Sequence, residues 1–269
     1  MKYCVASNLA SSPTTPVPMS GDFCGNLRKA GAMGYHAIEI HVPDVSVLDV
    51  PALLSAMRET GVGIATLGTG TIYGKYGLHL CDDNEENQDR IYGMVCRFVD
   101  VAAQLGARVT IGSIKGNILP GQDRKKHLDI FGRALRRIDD YAGQKGVTIL
   151  LEATNRYENN VLNTGRQIAE IIGAYGLVNT RALMDIFHMN IEEADIASAF
   201  RDAKDVLGHV HFADNNRHYP GAGCFQFAQV ADTLRGIGYD GVLSVECLPL
   251  PDPDTAAREA FAFLHKWFD

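Results

Sequence analysis

The fold of this chain is decided by residues 148–185, whose sequence is TILLEATNRYENNVLNTGRQIAEIIGAYGLVNTRALMD. Two apolar runs in it, at 148–152 and 182–185, are too short for helices and are typical of buried strands. Between them, residues 166–174 have the spacing of apolar side chains that a helix requires. The stretch therefore predicts a strand, a helix and a second strand, which is the repeating unit of a parallel sheet.

The same alternation continues along the whole chain in both directions. The predicted strands lie at 3–7, 37–41, 63–67, 108–114, 148–152, 182–185, 209–213 and 243–246. The predicted helices lie at 27–32, 51–60, 85–105, 123–144, 166–174, 195–203, 227–236 and 256–267. Glycine follows three of these helices, at Gly106, Gly146 and Gly238, where a left-handed residue commonly ends a helix.

Eight strands that alternate with eight helices in 269 residues predict an α/β protein with one domain, a (β/α)8 TIM barrel over 1–269. An open doubly wound sheet is the alternative. It usually carries a glycine-rich phosphate loop after its first strand. Here the first strand is followed by Asn8-Leu9-Ala10-Ser11-Ser12-Pro13, which lacks the required glycines. The barrel is therefore favoured.

The bulk composition excludes several classes of partner. A net charge of −7 argues against a broad nucleic-acid surface, which usually needs a basic face. No apolar run approaches the ~20 residues that a membrane span needs. The six cysteines are scattered and form no C-x-x-C pair, as expected of free thiols in a reducing compartment. We therefore predict a cytoplasmic protein without nucleic-acid or membrane partners.

The last polar side chains of four consecutive predicted strands, the fifth to the eighth, form a set. They are Glu152, Asp185, His211 and Glu246. Since the carboxyl ends of barrel strands meet at one face, we expect these side chains to converge. One such carboxylate could be half of a structural salt bridge, but four at matching places predict a metal site. Three carboxylates and one imidazole suit Mn²⁺, Mg²⁺ or Co²⁺ better than they suit zinc in a thiolate-rich structural site.

Several further polar residues lie in loops that leave these strands or their neighbours. Glu158, His188 and Arg217 follow ligand strands and are placed to reach a bound substrate, although surface charges are the alternative. Asp214 is either an ion-pair partner or a group that supports the metal histidine. Lys115 either pairs with a substrate carboxylate or phosphate or lies exposed at the surface.

Three segments of the sequence resemble one group of enzymes. Residues 152–158 (EATNRYE), 185–193 (DIFHMNIEE) and 211–223 resemble the ketose 3-epimerases of the xylose isomerase-like sugar phosphate isomerase/epimerase superfamily, which includes D-tagatose and D-allulose 3-epimerases. Residues 244–249 (SVECLP) and 68–70 resemble the 5-keto-L-gluconate epimerase subgroup. The resemblance runs through most of the chain and is densest from 152 to 249.

The resemblance implies a role for each of seven residues. The implied metal ligands are Glu152, Asp185, His211 and Glu246. The two glutamates also serve as acid and base, and the substrate's O1 and O2 end is held by Glu158, His188 and Arg217. The implied reaction is inversion at C3 of a ketose or keto-sugar acid through a cis-enediolate. It needs one divalent cation, by preference Mn²⁺, with Co²⁺ or Mg²⁺ as alternatives.

The resemblance also leaves some choices open. The partner is a small sugar or sugar acid, and relatives often form dimers or tetramers, so a homo-oligomer is an open choice for this chain. The loops after the first four strands, such as Leu67-Gly68-Thr69-Gly70, lack the aromatic and acidic contacts expected for free hexuloses. The substrate therefore need not be a simple tagatose or allulose.

Other functions share this scaffold. An aldose–ketose isomerase or an inosose-type dehydratase would use the same metal site. An endonuclease IV-type nuclease needs additional histidines at the ends of strands three and four. Here those ends read Leu67-Gly68-Thr69-Gly70 and Ile111-Gly112-Ser113, without a histidine. A sugar-binding protein without catalysis would not require either of the glutamates Glu152 and Glu246.

Overall fold

The chain folds into a closed parallel barrel surrounded by helices. The computed structural model describes residues 1–10 and 12–268. The strands are β1 Lys2–Asn8, β2 Met19–Ser20, β3 Ala37–His41, β4 Gly63–Gly68, β5 Arg108–Ile111, β6 Ile149–Ala153, β7 Thr180–Asp185, β8 Leu207–Phe212 and β9 Val242–Val245. The helices are α1 Phe23–Met33, α2 Val50–Thr60, α3 Thr71–Tyr76, α4 Glu85–Leu105, α5 Arg124–Gln144, α6 Gly165–Tyr175, α7 Ile186–Glu192, α8 Ile196–Asp202, α9 Phe227–Gly236 and α10 Pro253–Phe268.

Eight of the strands form the barrel wall. Neighbours pair in parallel in the order β1, β3, β4, β5, β6, β7, β8, β9, and β9 pairs with β1 to close the ring. The two-residue strand β2 pairs with Ser7 and Asn8 at the end of β1, beyond the point where β9 stops. The predicted (β/α)8 barrel is confirmed. All strands therefore direct their carboxyl ends to one mouth.

Local sequence explains where the helices begin and end. Helix α4 begins after Asn84, whose side chain accepts a hydrogen bond from the amide of Asn87. It ends at Gly106, which has a φ of 65°, a conformation that costs other residues energy. Its buried face, which includes Phe98 and Val99, packs toward the barrel. The regularly spaced apolar residues of this helix therefore form part of the core between helix and sheet.

Four elements differ from the sequence-based prediction. The fourth predicted strand, 108–114, ends at Ile111, because Gly112 (φ −109°, ψ −109°) turns the chain into a 3-10 helix, Ser113–Lys115. Helices α3 and α7 and strand β2 were not predicted. They are too short to show a clear apolar period.

Two of the bulk predictions have counterparts in the structure. All six cysteines are free thiols, as predicted. Within residues 1–10 and 12–268, each helix is either too short or too polar to cross a membrane.

Candidate metal centre and active site

The four predicted metal ligands converge at the mouth of the barrel. Each offers one ligand atom, and these atoms all lie within 4.8 Å of one another; the residues are Glu152, Asp185, His211 and Glu246. They come from four adjacent strands, β6 to β9, with Glu246 placed directly after the last of them. The arrangement expected from the strand ends is therefore present.

Nδ1 of His211 lies among the three carboxylates. It is 3.4 Å from Oε2 of Glu246, 3.6 Å from Oε1 of Glu152 and 3.9 Å from Oδ2 of Asp185. This buried nitrogen has no hydrogen-bond partner among the residues that the structure describes. A buried nitrogen without a partner is costly unless something else satisfies it. Three carboxylate oxygens and one imidazole nitrogen around a common point fit a divalent cation.

Asp185 has two tasks at this centre. Its Oδ1 accepts a hydrogen bond of 2.8 Å from the amide of Phe187 and so caps the first turn of α7. Its Oδ2 faces the centre and accepts a hydrogen bond of 2.5 Å from Nη1 of Arg217. The cap fixes the carboxylate, because rotation of the side chain would break the start of α7.

Arg217 bridges two of the ligand carboxylates. One Nη contacts Asp185 and the other contacts Glu246, while the guanidinium lies 4.6 Å above the ring of Phe187. Its backbone has a φ of 64°, which is unusual for a residue with a side chain. Such strain is often found at functional sites, where the surrounding structure holds it in place.

Mutual pairing controls the charge of these groups. Burial alone raises the pKa of the Glu246 carboxyl, but His211 and Arg217 together hold it well below its ordinary value. Burial lowers the pKa of His211, but the carboxylates of Glu39 and Glu246 outweigh it and hold that pKa well above its ordinary value. Burial likewise opposes the charge of Arg217, but Asp185 and Glu246 raise its pKa. The centre thus keeps the carboxylate of Glu246 ionised.

The carboxylate of Glu152 has room because the residue directly after β5, Gly112, has no side chain. A Cβ atom on Gly112 would lie 2.5 Å from Oε2 of Glu152, closer than real Cβ contacts allow. The glycine therefore makes room for the carboxylate beside the neighbouring strand. Its role was not evident in the sequence, where Gly112 belonged to a predicted strand.

The predicted substrate contacts form a connected group next to the centre. Nδ2 of Asn155 donates to Oε1 of Glu158 at 2.9 Å and contacts Nδ1 of His188 at 2.8 Å. Because an amide nitrogen only donates, Nδ1 of His188 accepts and the proton of a neutral ring lies on Nε2. That Nε2 faces the centre, 3.9 Å from Glu152 and 3.8 Å from Asp185. Asn155 was quoted within a predicted segment, but its positioning role was missed.

The structure also decides the predictions for Asp214 and Lys115. The carboxylate of Asp214 accepts hydrogen bonds from the amides of Asn215, Gly221 and Phe225, so it organises its own loop. Among the described residues Asp214 forms neither an ion pair nor a hydrogen bond to His211, so both of its predicted roles are wrong. Lys115 is fully buried, so its interpretation as an exposed residue is also wrong. Its Nζ donates to the carbonyl of Gly112 at 3.0 Å.

The carboxylate that contacts His211 from below is Glu39, which sequence reasoning missed. It lies in the middle of β3, fully buried, and contacts Nε2 of His211 at 3.2 Å and Nε2 of His209 at 2.7 Å. Nε2 of His41 lies 3.4 Å from its second oxygen. A polar residue inside an otherwise apolar strand, AIEIH, was the available signal.

A cavity of about 470 Å³ opens over the centre. Its chemical lining includes Glu152, Glu158, His188, His211, Arg217 and Glu246, so six of the seven predicted site residues face it and the seventh, Asp185, lies directly behind them. The opposite wall consists mainly of hydroxyl-bearing and glycine residues: Thr14, Thr15, Gly68, Thr69, Gly70, Thr71, Thr110, Gly112 and Ser113. The volume is suited to a small molecule such as a sugar.

Comparison with known proteins agrees with this geometry. A family model described as the xylose isomerase-like TIM barrel matches residues 27–267. A 3-dehydro-D-guloside 4-epimerase of Escherichia coli (strain K12) is 30% identical over 241 residues, which are 86% of this chain and 90% of the relative. A ketose 3-epimerase of Arthrobacter globiformis is 30% identical over 226 residues, 82% of this chain and 76% of the relative.

A solved structure extends the likeness to three dimensions. The D-allulose 3-epimerase of Methylomonas sp. in complex with D-allulose superposes with a TM-score of 0.86 at 26% identity, and the match covers 100% of this chain and 97% of that one. The resemblance to ketose 3-epimerases that the sequence predicted is therefore confirmed. The assignment of individual residues to roles stays a prediction.

Proposed function

The chain belongs to the xylose isomerase-like TIM barrel family, and from that premise we propose that it is a carbohydrate epimerase that depends on a divalent metal. The proposed reaction inverts the carbon next to a ketone, C3 of a ketose or keto-sugar acid, through a cis-enediolate. We propose Mn²⁺ as the cation, with Co²⁺ or Mg²⁺ as alternatives. The relatives named above as epimerases support the class of reaction.

One observation carries the proposal: two glutamates flank a single nitrogen at the mouth. Nδ1 of His211 lies 3.6 Å from an oxygen of Glu152 and 3.4 Å from an oxygen of Glu246. Both glutamates line the same cavity but come from different strands, β6 and the end of β9. A proton leaving one face of a planar substrate and returning to the other needs two such groups.

The residues divide the work as follows. A bound divalent cation would supply Lewis-acid polarisation of the substrate's carbonyl, and Glu152, Asp185, His211 and Glu246 would hold it. One glutamate removes the proton from the carbon beside the ketone, and the other returns a proton to the opposite face. Nε2 of His188 carries a proton and faces the centre, so it donates a hydrogen bond to a substrate oxygen. Glu158 lines the cavity beside it and accepts a hydrogen bond from a substrate hydroxyl.

A second position of reaction is supported by one relative. The Escherichia coli enzyme is named as a 4-epimerase of a 3-dehydro sugar, in which C4 is the carbon next to the ketone. In a 2-ketose the corresponding carbon is C3. Both reactions remove a proton next to a carbonyl, so the same residues serve either substrate. The largely hydroxyl-bearing wall of the cavity decides which sugar is held.

Product analysis in D₂O tests the proposal. The protein, loaded with Mn²⁺, is incubated with a panel of 2-ketoses, 3-keto sugars, keto-sugar acids and inososes, and the products are followed by ¹H NMR. We expect an epimer that carries one solvent deuterium at the inverted carbon. An aldose product would instead indicate an isomerase, and loss of a hydroxyl would indicate a dehydratase.

Metal removal provides the control for the same assay. Treatment with EDTA followed by desalting should abolish turnover, and addition of Mn²⁺, Co²⁺ or Mg²⁺ should restore it. A protein that binds sugars tightly but leaves every member of the panel unchanged, with or without metal, would overturn the proposal in favour of a binding protein.

A further inference from the structure

A cluster of buried polar residues lies inside the barrel, below the centre. It consists of Glu39 and His41 on β3 and His209 and His211 on β8, and we refer to it as the inner cluster. Glu39 and His209 are fully buried, yet neither has been assigned a role in binding or reaction above. A buried carboxylate is costly, so its place among three imidazoles requires a physical reason.

The distances exclude a second metal ion as that reason. Glu39, His209 and His211 are close enough to be considered as ligands. However, two ligands at ~2.1 Å from one tetrahedral cation lie ~3.4 Å apart. Oε1 of Glu39 and Nε2 of His209 are only 2.7 Å apart, which is the distance of a hydrogen bond between them.

The hydrogen bonds of Glu39 determine which nitrogen of His211 carries the proton. An ionised carboxylate only accepts, so Nε2 of His211, which lies 3.2 Å from both oxygens of Glu39, must donate. The lone pair of a neutral ring is then on Nδ1, the atom that faces the three ligand carboxylates. A ring in the other tautomer would present a proton to the cation.

The barrel wall is irregular at the level of this cluster. The register between β3 and β4 shifts between Ile38 and Glu39, and the register between β7 and β8 shifts where Leu183 pairs with His209. Such bulges re-aim side chains and are frequent beside active sites. Both shifts lie next to the residues that meet across the barrel. The strands are therefore adapted to bring Glu39 and His209 together.

We propose that Glu39, held by His209, is a positioning residue that fixes His211 as the Nε2-protonated tautomer and so sets the affinity of the centre for its cation. The inference rests on the proposed metal site. Partners of this kind usually contribute to metal affinity through the ligand that they orient. Glu39 itself contacts neither the substrate cavity nor the reacting atoms.

Mn²⁺ titration of the metal-free protein tests the inference. Glu39→Gln keeps the size of the side chain but removes the charge that requires a donor, and we expect Mn²⁺ to bind about 10- to 100-fold more weakly. Thr66→Val is the matched control. Thr66 pairs with Glu39 in the sheet and is equally buried. Among the described residues its side chain bonds only to that of Thr110, at 2.7 Å, so its loss should leave Mn²⁺ affinity unchanged.

A spectroscopic measurement distinguishes positioning from a purely structural role. In ¹⁵N-histidine-labelled metal-free protein, at a pH high enough to make the ring of His211 neutral, His211 should show the Nε2-protonated tautomer, and Glu39→Gln should show a mixture of tautomers. Turnover at saturating Mn²⁺ should fall much less than turnover at limiting Mn²⁺. Glu39→Asp, which withdraws the carboxylate by one methylene, is the second variant if the glutamine protein does not fold.

The outcomes separate this inference from the proposed function. Wild-type protein that binds no Mn²⁺ would overturn the metal site itself. Wild-type protein that binds Mn²⁺, with equal binding by whichever Glu39 variant folds, would leave the proposed function standing and overturn the inference. Weaker binding together with the altered tautomer would support it.

Discussion

The two halves of the cavity rim differ sharply in chemistry. The charged half comprises the cavity residues from β6 to β9 and their loops, and it carries the lining residues Glu152, Glu158, His188, His211, Arg217 and Glu246. The hydroxyl half comprises the lining residues from β1, β3, β4 and β5 and their loops. Among the described residues that line it, His41 is the one titratable side chain, and threonine, serine and glycine predominate.

The difference teaches how one barrel divides its tasks. A divalent cation needs several anionic donors within a few ångströms, which four adjacent strands supply from one side. A neutral sugar needs hydrogen-bonding partners and free space, which hydroxyls and glycines supply from the other. We therefore expect the charged half to control the reaction and the hydroxyl half to control the room available for the substrate.

The largest effect should come from the two glutamates of the charged half. Glu152→Gln and Glu246→Gln keep the volume of the side chain but remove the base, so kcat should fall by about 10²- to 10⁴-fold. Glu170→Gln, on the outer surface of α6, is the matched control and should keep wild-type kcat. Undiminished turnover by Glu246→Gln would contradict the assignment of two bases and with it the division into halves.

The second-largest effect should come from removing the positive charge of Arg217. Arg217→Met removes the guanidinium partner of the buried Asp185 carboxylate and leaves Glu246 paired with His211 alone, so the metal-free protein should lose about 3 kcal/mol of unfolding free energy. Urea unfolding measures it. Arg28→Met, which breaks an exposed pair with Glu59, should leave the midpoint unchanged. Equal midpoints for both variants would show that Arg217 has no such role.

A third substitution tests the close contact between the two halves. Gly112→Ala would place a methyl group 2.5 Å from Oε2 of Glu152, so the hydroxyl half would displace a ligand of the charged half. Both Mn²⁺ affinity and kcat should fall, each by about 10- to 100-fold. Gly74→Ala in α3 meets no atom within 4 Å and should change neither quantity. Normal activity of Gly112→Ala would mean that the loop yields more easily than the ligand.

The smallest effect concerns Lys115, a buried cation behind the hydroxyl half. Burial lowers its pKa to about 8, against the pull of Glu152 and Glu158. The unfolded chain, with an ordinary lysine at ~10.4, therefore binds more protons above about pH 8, and wild-type stability rises with pH there. Lys115→Met lacks this rise. Between about pH 7 and 9 the wild type should gain about 1 kcal/mol relative to the variant.

Denaturant unfolding of both proteins at each pH measures this gain, and other titrating groups cancel in the difference. Parallel profiles for the two proteins would show that Lys115 titrates as it does in the unfolded chain. The buried cation would then have no special electrostatic cost.

Local patterns predicted much of the molecule. Helices 85–105 and 227–236 were predicted to the residue, because a long apolar period marks the face that packs on the barrel. The short helix Ile186–Glu192 was missed, since seven residues hardly contain two turns of that period. The four convergent residues were predictable because each is the last polar residue of a predicted strand, and the carboxyl ends of the strands meet at one face of any parallel barrel.

The sequence by itself thus determined the barrel, its direction and the residues of its charged mouth, because these depend on periods and on positions along single strands. Only the tertiary structure decided what lies inside and behind that mouth. Glu39 and His209 are 170 residues apart and meet across the barrel, Asp214 turns to its own loop, and Lys115 is enclosed. Such contacts depend on how strands and loops face one another when the barrel closes. The spacing of apolar residues along the chain does not predict that arrangement.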